Sequence, residues 1–281
     1  MHFRFAQRWL AGLLAASVLL VAVGAYLSLP RAYLLMATTT STRDTGFLPY
    51  LLPEFAADTG IQVRYIAVGT GQALEAGRRG DVDVVMVHAP RLEEPFLGEG
   101  HGLCRNSIMY NRFVVVGPAA DPAGVRGATS AVDAFLRIAN ASARFESRAD
   151  GSGTNTKELD VWAAADLDPS TFGPWYERTE QGMGATLTIA NERNAYTLSD
   201  DGTWYAREPS LPYLDLLFSE DPVLENPYSV IPVSPSAHPG VHADQAVAFA
   251  RWLVGARGQS LIGAFTVNGH AVFTPDGDGG C

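Results

Sequence analysis

Short hydrophobic runs alternate with segments of helical periodicity along the first part of the chain. The predicted strands are YLLMAT (33–38), IQVRYIAV (61–68) and VDVVMVHA (82–89), and the predicted helices between them are FLPYLLPEFAADTG (47–60) and GQALEAGRRG (71–80). Gly60 is expected to end the first of these helices. Apolar strands that alternate with helices are typical of parallel β–α–β units, so the pattern predicts an α/β fold.

The alternation continues toward the C terminus with less regular spacing. The predicted strands are RFVVVGP (112–118), ARFESRAD (143–150) and NPYSVIPVSP (226–235), and the predicted helices are AVDAFLRIANA (131–141), NTKELDVWAAADL (155–167) and one or two within residues 243–265. The segments ATLTIANERN (185–194) and YTLSDDG (196–202) are less regular. We therefore expect a two-lobed α/β protein with its ligand at the carboxyl ends of the strands.

The first 30 residues differ from the rest. Arg4 and Arg8 precede an uncharged apolar stretch from Trp9 to Leu29. This pattern predicts export, either with a signal peptide cleaved near Val23-Gly24-Ala25 or with an uncleaved N-terminal anchor, since about 20 apolar residues can span a membrane. We expect the remaining chain to be extracytoplasmic and to contact the membrane only through this segment.

The overall charge is acidic. The formal net charge is −10, and loss of residues 1–30 with their two arginines gives −10 − 2 = −12. No block of Lys and Arg is present, so we expect no nucleic-acid partner. An acidic protein repels anions at long range, so any anion site has to be built by local groups.

The two cysteines, Cys104 and Cys281, provide too few ligands for a metal site or a disulfide framework. One disulfide is conceivable in an exported protein, and the sequence leaves this pairing open. Cys281 ends the glycine-rich tail TPDGDGGC (274–281), which we expect to be mobile.

Three predicted strands lead into loops of glycine and small hydroxyl residues, each followed by a helix. The loops are ATTTSTRDTG (37–46), AVGTGQAL (67–74) and SRADGSGTNTKEL (147–159). Helix N termini present unpaired N–H groups and partial positive charge, and Ser and Thr add donors. A single loop of this kind is explained by helix capping alone, but three indicate a shared oxyanion pocket.

Arg148 is the cation of these loops, and its guanidinium can bind oxyanion oxygens in a bidentate way. The alternative is an ion pair with Asp150 or Glu146. Asp44 and Asp150 could cap helices or accept a proton from hydrogen phosphate. Lys157 and Glu158 are expected at the surface or at a helix cap.

Motifs for enzyme chemistry are incomplete. GTGQAL lacks the third glycine of a dinucleotide fingerprint, with Leu74 in its place, and GSG (151–153) is not a nucleophile elbow. No histidine lies in the three loops to act as a base, and His88 is expected to be a packed residue rather than a ligand. An exported hydrolase with Ser152 as nucleophile is therefore disfavoured, and we expect no enzyme activity, cofactor or catalytic residue.

Several segments together resemble the periplasmic tungstate-binding proteins of tungstate ABC transporters. They are ATTTSTRDTGFL, VGTGQALEAGRRGDVDVVMVHAP, MYNRFVVVGP, SRADGSGTNTKEL, YTLSDDGTW and NPYSVIPVSP, and they extend from about residue 34 to residue 235. The resemblance implies a type II periplasmic binding-protein fold, in which two α/β lobes are joined by a two-strand hinge and the ligand binds in the cleft. It assigns residues 31–116 with 229–281 to lobe 1 and residues 117–228 to lobe 2.

The resemblance also implies a site, a ligand and a partner. The ligand is tungstate, or its near isostere molybdate, and the partner is an ABC transporter permease that receives the anion from a monomeric binding protein. Oxyanion donors are carried over to Thr39, Thr40, Ser41, Thr70, Arg148, Ser152, Gly153 and Thr154. The contact from the segments MGATL (183–187) and YTLSD (196–200) stays open.

The chain departs from the family pattern at Ala149, where the family has glycine between the arginine and the aspartate. We expect a backbone adjustment there and no loss of Arg148. The open alternatives for function are a phosphate- or sulfate-binding protein and a membrane-tethered oxyanion sensor.

Overall fold

The computed structural model describes residues 33–281, so the predicted leader at residues 1–30 lies outside the described part of the chain. Within residues 33–281, every helix is too short or too polar to cross a membrane.

Twelve strands are found in the described residues, and the predicted strands are among them. They are β1 (Tyr33–Thr39), β2 (Gln62–Val68), β3 (Val84–Val87), β4 (Asn106–Pro118), β5 (Phe145–Ser147), β6 (Tyr176–Arg178), β7 (Thr197–Asp200), β8 (Leu214–Phe218), β9 (Glu225–Pro232), β10 (Thr266–Val267), β11 (His270–Ala271) and β12 (Thr274–Asp278).

Ten α-helices alternate with these strands over residues 33–281. They are α1 (Thr40–Asp44), α2 (Phe47–Thr59), α3 (Thr70–Arg79), α4 (Pro90–Gly98), α5 (Ala131–Asn140), α6 (Gly153–Ala164), α7 (Met183–Arg193), α8 (Asp201–Arg207), α9 (Ala243–Val254) and α10 (Ala256–Ala264). Helix α2 ends at Gly60, which has the left-handed conformation expected of a terminating glycine. The predicted α/β alternation is confirmed.

The main sheet combines parallel and antiparallel pairs. Its strands follow the order β12-β4-β9-β3-β1-β2, and β7 and β8 also pair with β4. Strand β1 is parallel to β2 and β3, as the β–α–β pattern predicts. Strands β4 and β9 are antiparallel, and β4 pairs with β9 in its first half and with β7 and β8 in its second half. Strand β4 therefore runs through the molecule from one group of elements to the other.

The buried side chains form two pairs of clusters, one for each half of β4. Ile108 in the first half packs in a core with Phe47 and Phe249, and a smaller cluster lies around Leu74 and Phe96. The second half of β4 contributes to two further clusters, which contain Trp162 and Trp204 respectively.

Two regions differ from the sequence-based expectation. Residues 185–202 are regular, because α7 and β7 occupy nearly all of them. The C-terminal tail is also ordered, since β12 pairs with β4 and the last residues are held by side chains of the body. Gln259 accepts a hydrogen bond from the Gly277 N–H at 2.8 Å, and Asn106 accepts one from the Gly280 N–H at 3.0 Å.

Cys104 and Cys281 form a disulfide, with a Cα–Cα distance of 5.8 Å. The sequence left this pairing open, and it fixes the final residue of the chain beside the start of β4. The closed loop spans 177 residues of sequence separation, so the cross-link restricts the unfolded chain strongly.

The disulfide generates a stability prediction. The double variant Cys104→Ser/Cys281→Ser is expected to lose about 2–4 kcal/mol of stability, because its unfolded chain regains loop entropy. Thermal melts of the oxidised protein, the reduced protein and the variant measure this effect. Reduction is expected to lower the melting temperature of the wild type and to leave that of the variant unchanged, and equal melting of all three samples would contradict the prediction.

Candidate functional site

Four helix N termini converge on one region of the molecule. Helices α1, α3 and α6 begin in the three predicted loops, and α7 supplies a fourth N terminus that the sequence left uncertain. Helices α1, α3 and α7 have no side-chain cap, whereas the Ser152 side chain caps α6 by accepting a bond from the Asn155 N–H. Uncapped N termini leave backbone donors free for a ligand.

Arg148 lies at the centre of this region and is 2% exposed. One Nη of its guanidinium donates to Thr40 Oγ1 at 3.3 Å and the other to Thr154 Oγ1 at 3.4 Å. Its Nε donates to the carbonyl oxygen of Gln181 at 3.4 Å, in the loop before α7. The guanidinium therefore contacts three of the four segments.

The ion pair with Asp150 that was the alternative role of Arg148 is also present. Arg148 Nη2 lies 2.5 Å from Asp150 Oδ2, and the other oxygen of that carboxylate accepts a bond from the Ser152 N–H. Glu146 pairs instead with Arg193. Asp150 thus fixes one edge of the guanidinium and the turn that follows.

The second and third loops are in direct contact. The Gly71 N–H donates to the carbonyl oxygen of Gly151 at 3.3 Å. A Cβ on Gly69 would lie 3.1 Å from the carbonyl oxygen of Asp150, so a side chain at position 69 would push the loops apart. Glycine at this position permits the close approach.

Thr70 has a fully buried hydroxyl group with no hydrogen-bond partner among the described residues. Leaving a buried hydroxyl without a hydrogen-bond partner costs about 1–3 kcal/mol of stability. Such a group in a native protein therefore calls for a structural or functional explanation. Thr70 is the first residue of α3, beside the contact with the Arg148 loop. An oxyanion bound among these loops would give the hydroxyl an acceptor.

The hydroxyl groups of the first loop do not all face Arg148. Thr40 does, but Thr39 Oγ1 lies 3.1 Å from Ser41 Oγ and 2.8 Å from Thr42 Oγ1. The hydroxyls of Thr39 and Ser41 therefore bond within the loop, and the donors that α1 leaves for a ligand are the backbone N–H groups of its first turn. The predicted residues lie together, but their hydroxyl groups have different orientations.

His88 is a neighbour of the site that the sequence treated as a packed residue. Its ring is buried, stacks on Tyr228 and contacts Gly153 closely, since a Cβ at position 153 would lie 2.7 Å from the ring. Burial lowers the pKa of His88 to about 4, although a hydrogen bond to Asn226 opposes this shift. His88 is thus neutral at pH 7. In the sequence, the position of His88 directly after β3 was the feature that could have indicated its place near the site.

The carboxylates near Arg148 are bonded within their own segments. Asp44 pairs with Arg43, and Asp200 accepts bonds from the N–H and the hydroxyl of Thr203 at the start of α8. Within residues 33–281, no group of three His, Cys, Asp or Glu side chains is arranged to hold a metal ion. The groups that converge at the loops are mainly donors, which suits a fully deprotonated oxyanion.

Ala149 keeps Arg148 in place through a left-handed backbone. Its φ angle is +48°, which is in the region that glycine favours and other residues rarely adopt. The chain thus accommodates alanine without moving Arg148 out of the site, at the cost of local strain.

Glu158 is buried, in contrast to its expected surface position. Its carboxylate accepts bonds from the hydroxyls of Ser147 at 2.7 Å and Tyr176 at 2.6 Å and from the Trp162 indole N–H at 3.2 Å. Ser147 directly precedes Arg148, so Glu158 anchors the base of the Arg148 loop. Burial raises the pKa of Glu158 to about 7, although these hydrogen bonds oppose the shift.

Known proteins resemble this chain over most of its length. A sequence profile of the PBP superfamily domain matches residues 25–257. The tungstate-binding protein TupA of Peptoclostridium acidaminophilum is 42% identical over 247 residues, which cover 86% of this chain and 85% of the relative.

Two solved structures are similar in both sequence and fold. The structure of the tungstate ABC transporter from Geobacter sulfurreducens is 46% identical, with a TM-score of 0.77, and the match covers 83% of this chain and 98% of that one. The tungstate-binding protein TupA from Desulfovibrio alaskensis G20 is 44% identical, with a TM-score of 0.76 and coverage of 88% and 100%.

The strained alanine generates a stability prediction. Ala149→Gly is expected to raise the stability by about 1 kcal/mol, because glycine relieves the left-handed strain by more than its extra freedom in the unfolded chain costs. This corresponds to about 2–4 °C in melting temperature for a protein of this size. Ala165→Gly, at a helix end with an ordinary negative φ, is the control and is expected to lower stability. A lower melting temperature for Ala149→Gly would contradict the prediction.

Glu158 generates a prediction of pH dependence. Its folded pKa of about 7 exceeds its ordinary value of 4.5, so folding favours the protonated form. The associated stabilisation is complete below pH 4.5 and is lost as the pH rises through 7.

The stability difference between Glu158→Gln and the wild type should therefore change by about 3 kcal/mol between low and high pH, in favour of the variant at high pH. Chemical denaturation from pH 4.5 to pH 8 measures this difference. Glu192→Gln, on the exposed side of α7, is the control. A stability difference between Glu158→Gln and the wild type that does not vary with pH would refute the raised pKa of Glu158.

Proposed function

The chain belongs to the family of tungstate-binding proteins within the PBP superfamily, and we propose that it binds tungstate among the four converging loops. The α/β periplasmic binding-protein fold predicted from the sequence is confirmed by the two similar structures. The protein is a solute-binding component of a tungstate ABC transporter rather than an enzyme.

The proposed lobes are residues 31–116 with 229–281 and residues 117–228, joined by β4 and β9. The two pairs of hydrophobic clusters support a division of this kind, although residues 113–116 of β4 pack with lobe 2 and Tyr228 of β9 packs with lobe 1. Contacts between the loops, such as that from Gly71 to Gly151, would then cross the cleft. Closure of the two lobes on the anion would complete its donor shell and provide a form that the permease can recognise.

The proposed ligand shell consists of Thr39, Thr40, Ser41, Thr70, Arg148, Ser152, Gly153 and Thr154. The observation that carries the proposal is the unpaired, buried hydroxyl of Thr70, which lies in a loop that contacts the loop of the buried Arg148. Thr40 and Thr154 contribute hydroxyls that already contact Arg148, and the first loop contributes N–H groups. The N terminus of α7 is an addition to the predicted set.

Tungstate fits this shell better than hydrogen phosphate does. Tungstate is fully deprotonated at neutral pH and needs donors alone, whereas hydrogen phosphate needs an acceptor for its proton. Asp150 and Asp44, the carboxylates that could serve as that acceptor, are already paired with Arg148 and Arg43. Molybdate has the same shape and charge, so we expect it to compete with tungstate.

We further propose that the protein is exported, acts as a monomer in the periplasm or its equivalent, and meets the membrane through residues 1–30 alone. Determining the mature N terminus distinguishes a cleaved signal peptide from an anchor. A retained leader would favour the membrane-tethered form, including an oxyanion sensor.

Calorimetry of the purified protein with tungstate, molybdate, sulfate and phosphate tests the ligand. Tungstate is expected to bind most tightly together with molybdate, and phosphate about 100-fold more weakly, because phosphate leaves a proton without an acceptor. Tighter binding of phosphate, or no heat with tungstate, would overturn the proposal.

Two variants test the shell. Arg148→Ala is expected to weaken tungstate binding about 100-fold or more, since it removes the buried cation and its charge-assisted bond to the anion, and Thr70→Val about 5–10-fold, since it removes one neutral bond. Arg64→Ala, on the exposed strand β2, is the charge-matched control. Unchanged affinity in Arg148→Ala would remove this arginine from the site.

A further inference from the structure

A chain of buried polar side chains crosses the two long strands beside the site. Asn111 of β4 and Asn226 of β9 face each other in the strand register, and both side chains are buried. Burying a pair of polar side chains costs free energy unless each of their polar groups is hydrogen-bonded. The role of these two amides therefore follows from their hydrogen-bond partners.

The contacts connect the first loop of the site to helix α8. Ser41 Oγ lies 3.4 Å from His88 Nε2, and His88 Nδ1 lies 2.8 Å from Asn226 Oδ1. The Asn226 amide nitrogen donates to Asn111 Oδ1 at 2.7 Å, and the Asn111 amide nitrogen donates to Asp201 Oδ1 at 2.6 Å. The other oxygen of Asp201 accepts from the Arg112 N–H at 3.3 Å.

All hydrogen bonds in this chain have to point in one direction. The ionised Asp201 carboxylate can only accept, so Asn111 turns its NH₂ group to Asp201 and its oxygen to Asn226. Asn226 must then donate to Asn111 and accept from His88 Nδ1. A neutral histidine with its proton on Nδ1 has a bare Nε2, which can only accept from the Ser41 hydroxyl.

We propose that His88, Asn226 and Asn111 are positioning residues for the oxyanion site, forming a one-way relay of hydrogen bonds that ties Ser41 through both long strands to Asp201. This inference rests on the proposed oxyanion function. It deepens that function by assigning a role to three buried side chains outside the ligand shell.

The relay determines how Ser41 meets the anion. The relay directs the Ser41 hydroxyl proton to His88, and the Ser41 oxygen also contacts Thr39 Oγ1. Ser41 therefore offers the anion its backbone N–H, and the relay holds the first loop in the orientation that directs this group and Thr40 toward Arg148. Asp201 is the first residue of α8, so the orientation of the first loop also depends on the position of α8.

The tautomer of His88 provides a direct test. Nitrogen-15 NMR of the imidazole, measured at pH 8 and without tungstate, is expected to show the proton on Nδ1, because burial raises the pKa of Asp201 only to about 7 and its carboxylate is ionised at that pH. In Asn226→Leu, which has a similar volume and no acceptor, the proton should move to Nε2. Tungstate affinity should fall about 10-fold, because the first loop loses its anchor.

A carboxylate–amide exchange separates positioning from general destabilisation. Asn111→Asp places a carboxylate against Asp201 and is expected to weaken tungstate binding about 10-fold at pH 8. In Asn111→Asp/Asp201→Asn, the amide at 201 donates to the carboxylate at 111, which still accepts from Asn226. The relay is rebuilt, so affinity should return to within about 3-fold of the wild type. Asn140→Asp, at the exposed end of α5, is the charge control.

Several outcomes would overturn the relay. These are a wild-type His88 with its proton on Nε2, an Asn226→Leu variant that keeps both tautomer and affinity, or a folded exchange variant that fails to recover binding. A wild type that shows the expected tautomer but binds no tungstate would instead refute the proposed function and leave the hydrogen-bond geometry standing.

Discussion

The structure of the site depends on the burial of one guanidinium. Arg148 is almost completely removed from water, and a buried charge is stable only if its donors are satisfied. Its partners come from three separate segments: Thr40, Asp150 with Thr154, and the carbonyl oxygen of Gln181. The hydrogen bonds that the buried guanidinium requires hold these loops together without a bound ligand. A dianion placed among them would meet an arrangement that is already largely organised.

The two long strands explain how distant parts of the chain meet at these loops. Strand β4 pairs with β9 and then with β7 and β8, so its two halves contribute to different cores. The side chains of Asn111 and Asn226 carry hydrogen bonds across this crossing. Backbone pairing of the strands thus connects the cores mechanically. The hydrogen bond between Asn111 and Asn226 adds a connection between two particular side chains.

The sequence predicted the fold well where local pattern decides structure. The strand–loop–helix units at β1, β2 and β5 follow from apolar runs that end in glycine and hydroxyl residues, which do not continue a strand readily. Helix α7 was missed because β-branched residues such as Thr186 and Ile189 weaken a helical signal that tertiary packing restores. The tail was expected to be mobile from its glycines, but its order comes from Gln259, Asn106 and the disulfide, which are distant in sequence.

The loops of the candidate site were predictable from the sequence, but their detailed contacts were not. Three loops and Arg148 could be identified because donors at helix starts have a recognisable composition. The orientation of the Ser41 hydroxyl depends on His88, and that of His88 depends on Asn226, which lies 138 residues further along the chain. No local pattern encodes such a dependence.

The order of the cores along the chain has a consequence for biogenesis. The core around Phe47 and Phe249 combines residues from both ends of the described chain, while the core around Trp162 draws on residues 113–224 alone. During synthesis the chain emerges from its N terminus, so the central core can form while the C-terminal helices are still being made. The other core, and with it the docking of the first loop against Arg148, has to wait until residue 273 has arrived. A binding protein built in this way completes its binding site only when synthesis of the chain is nearly finished.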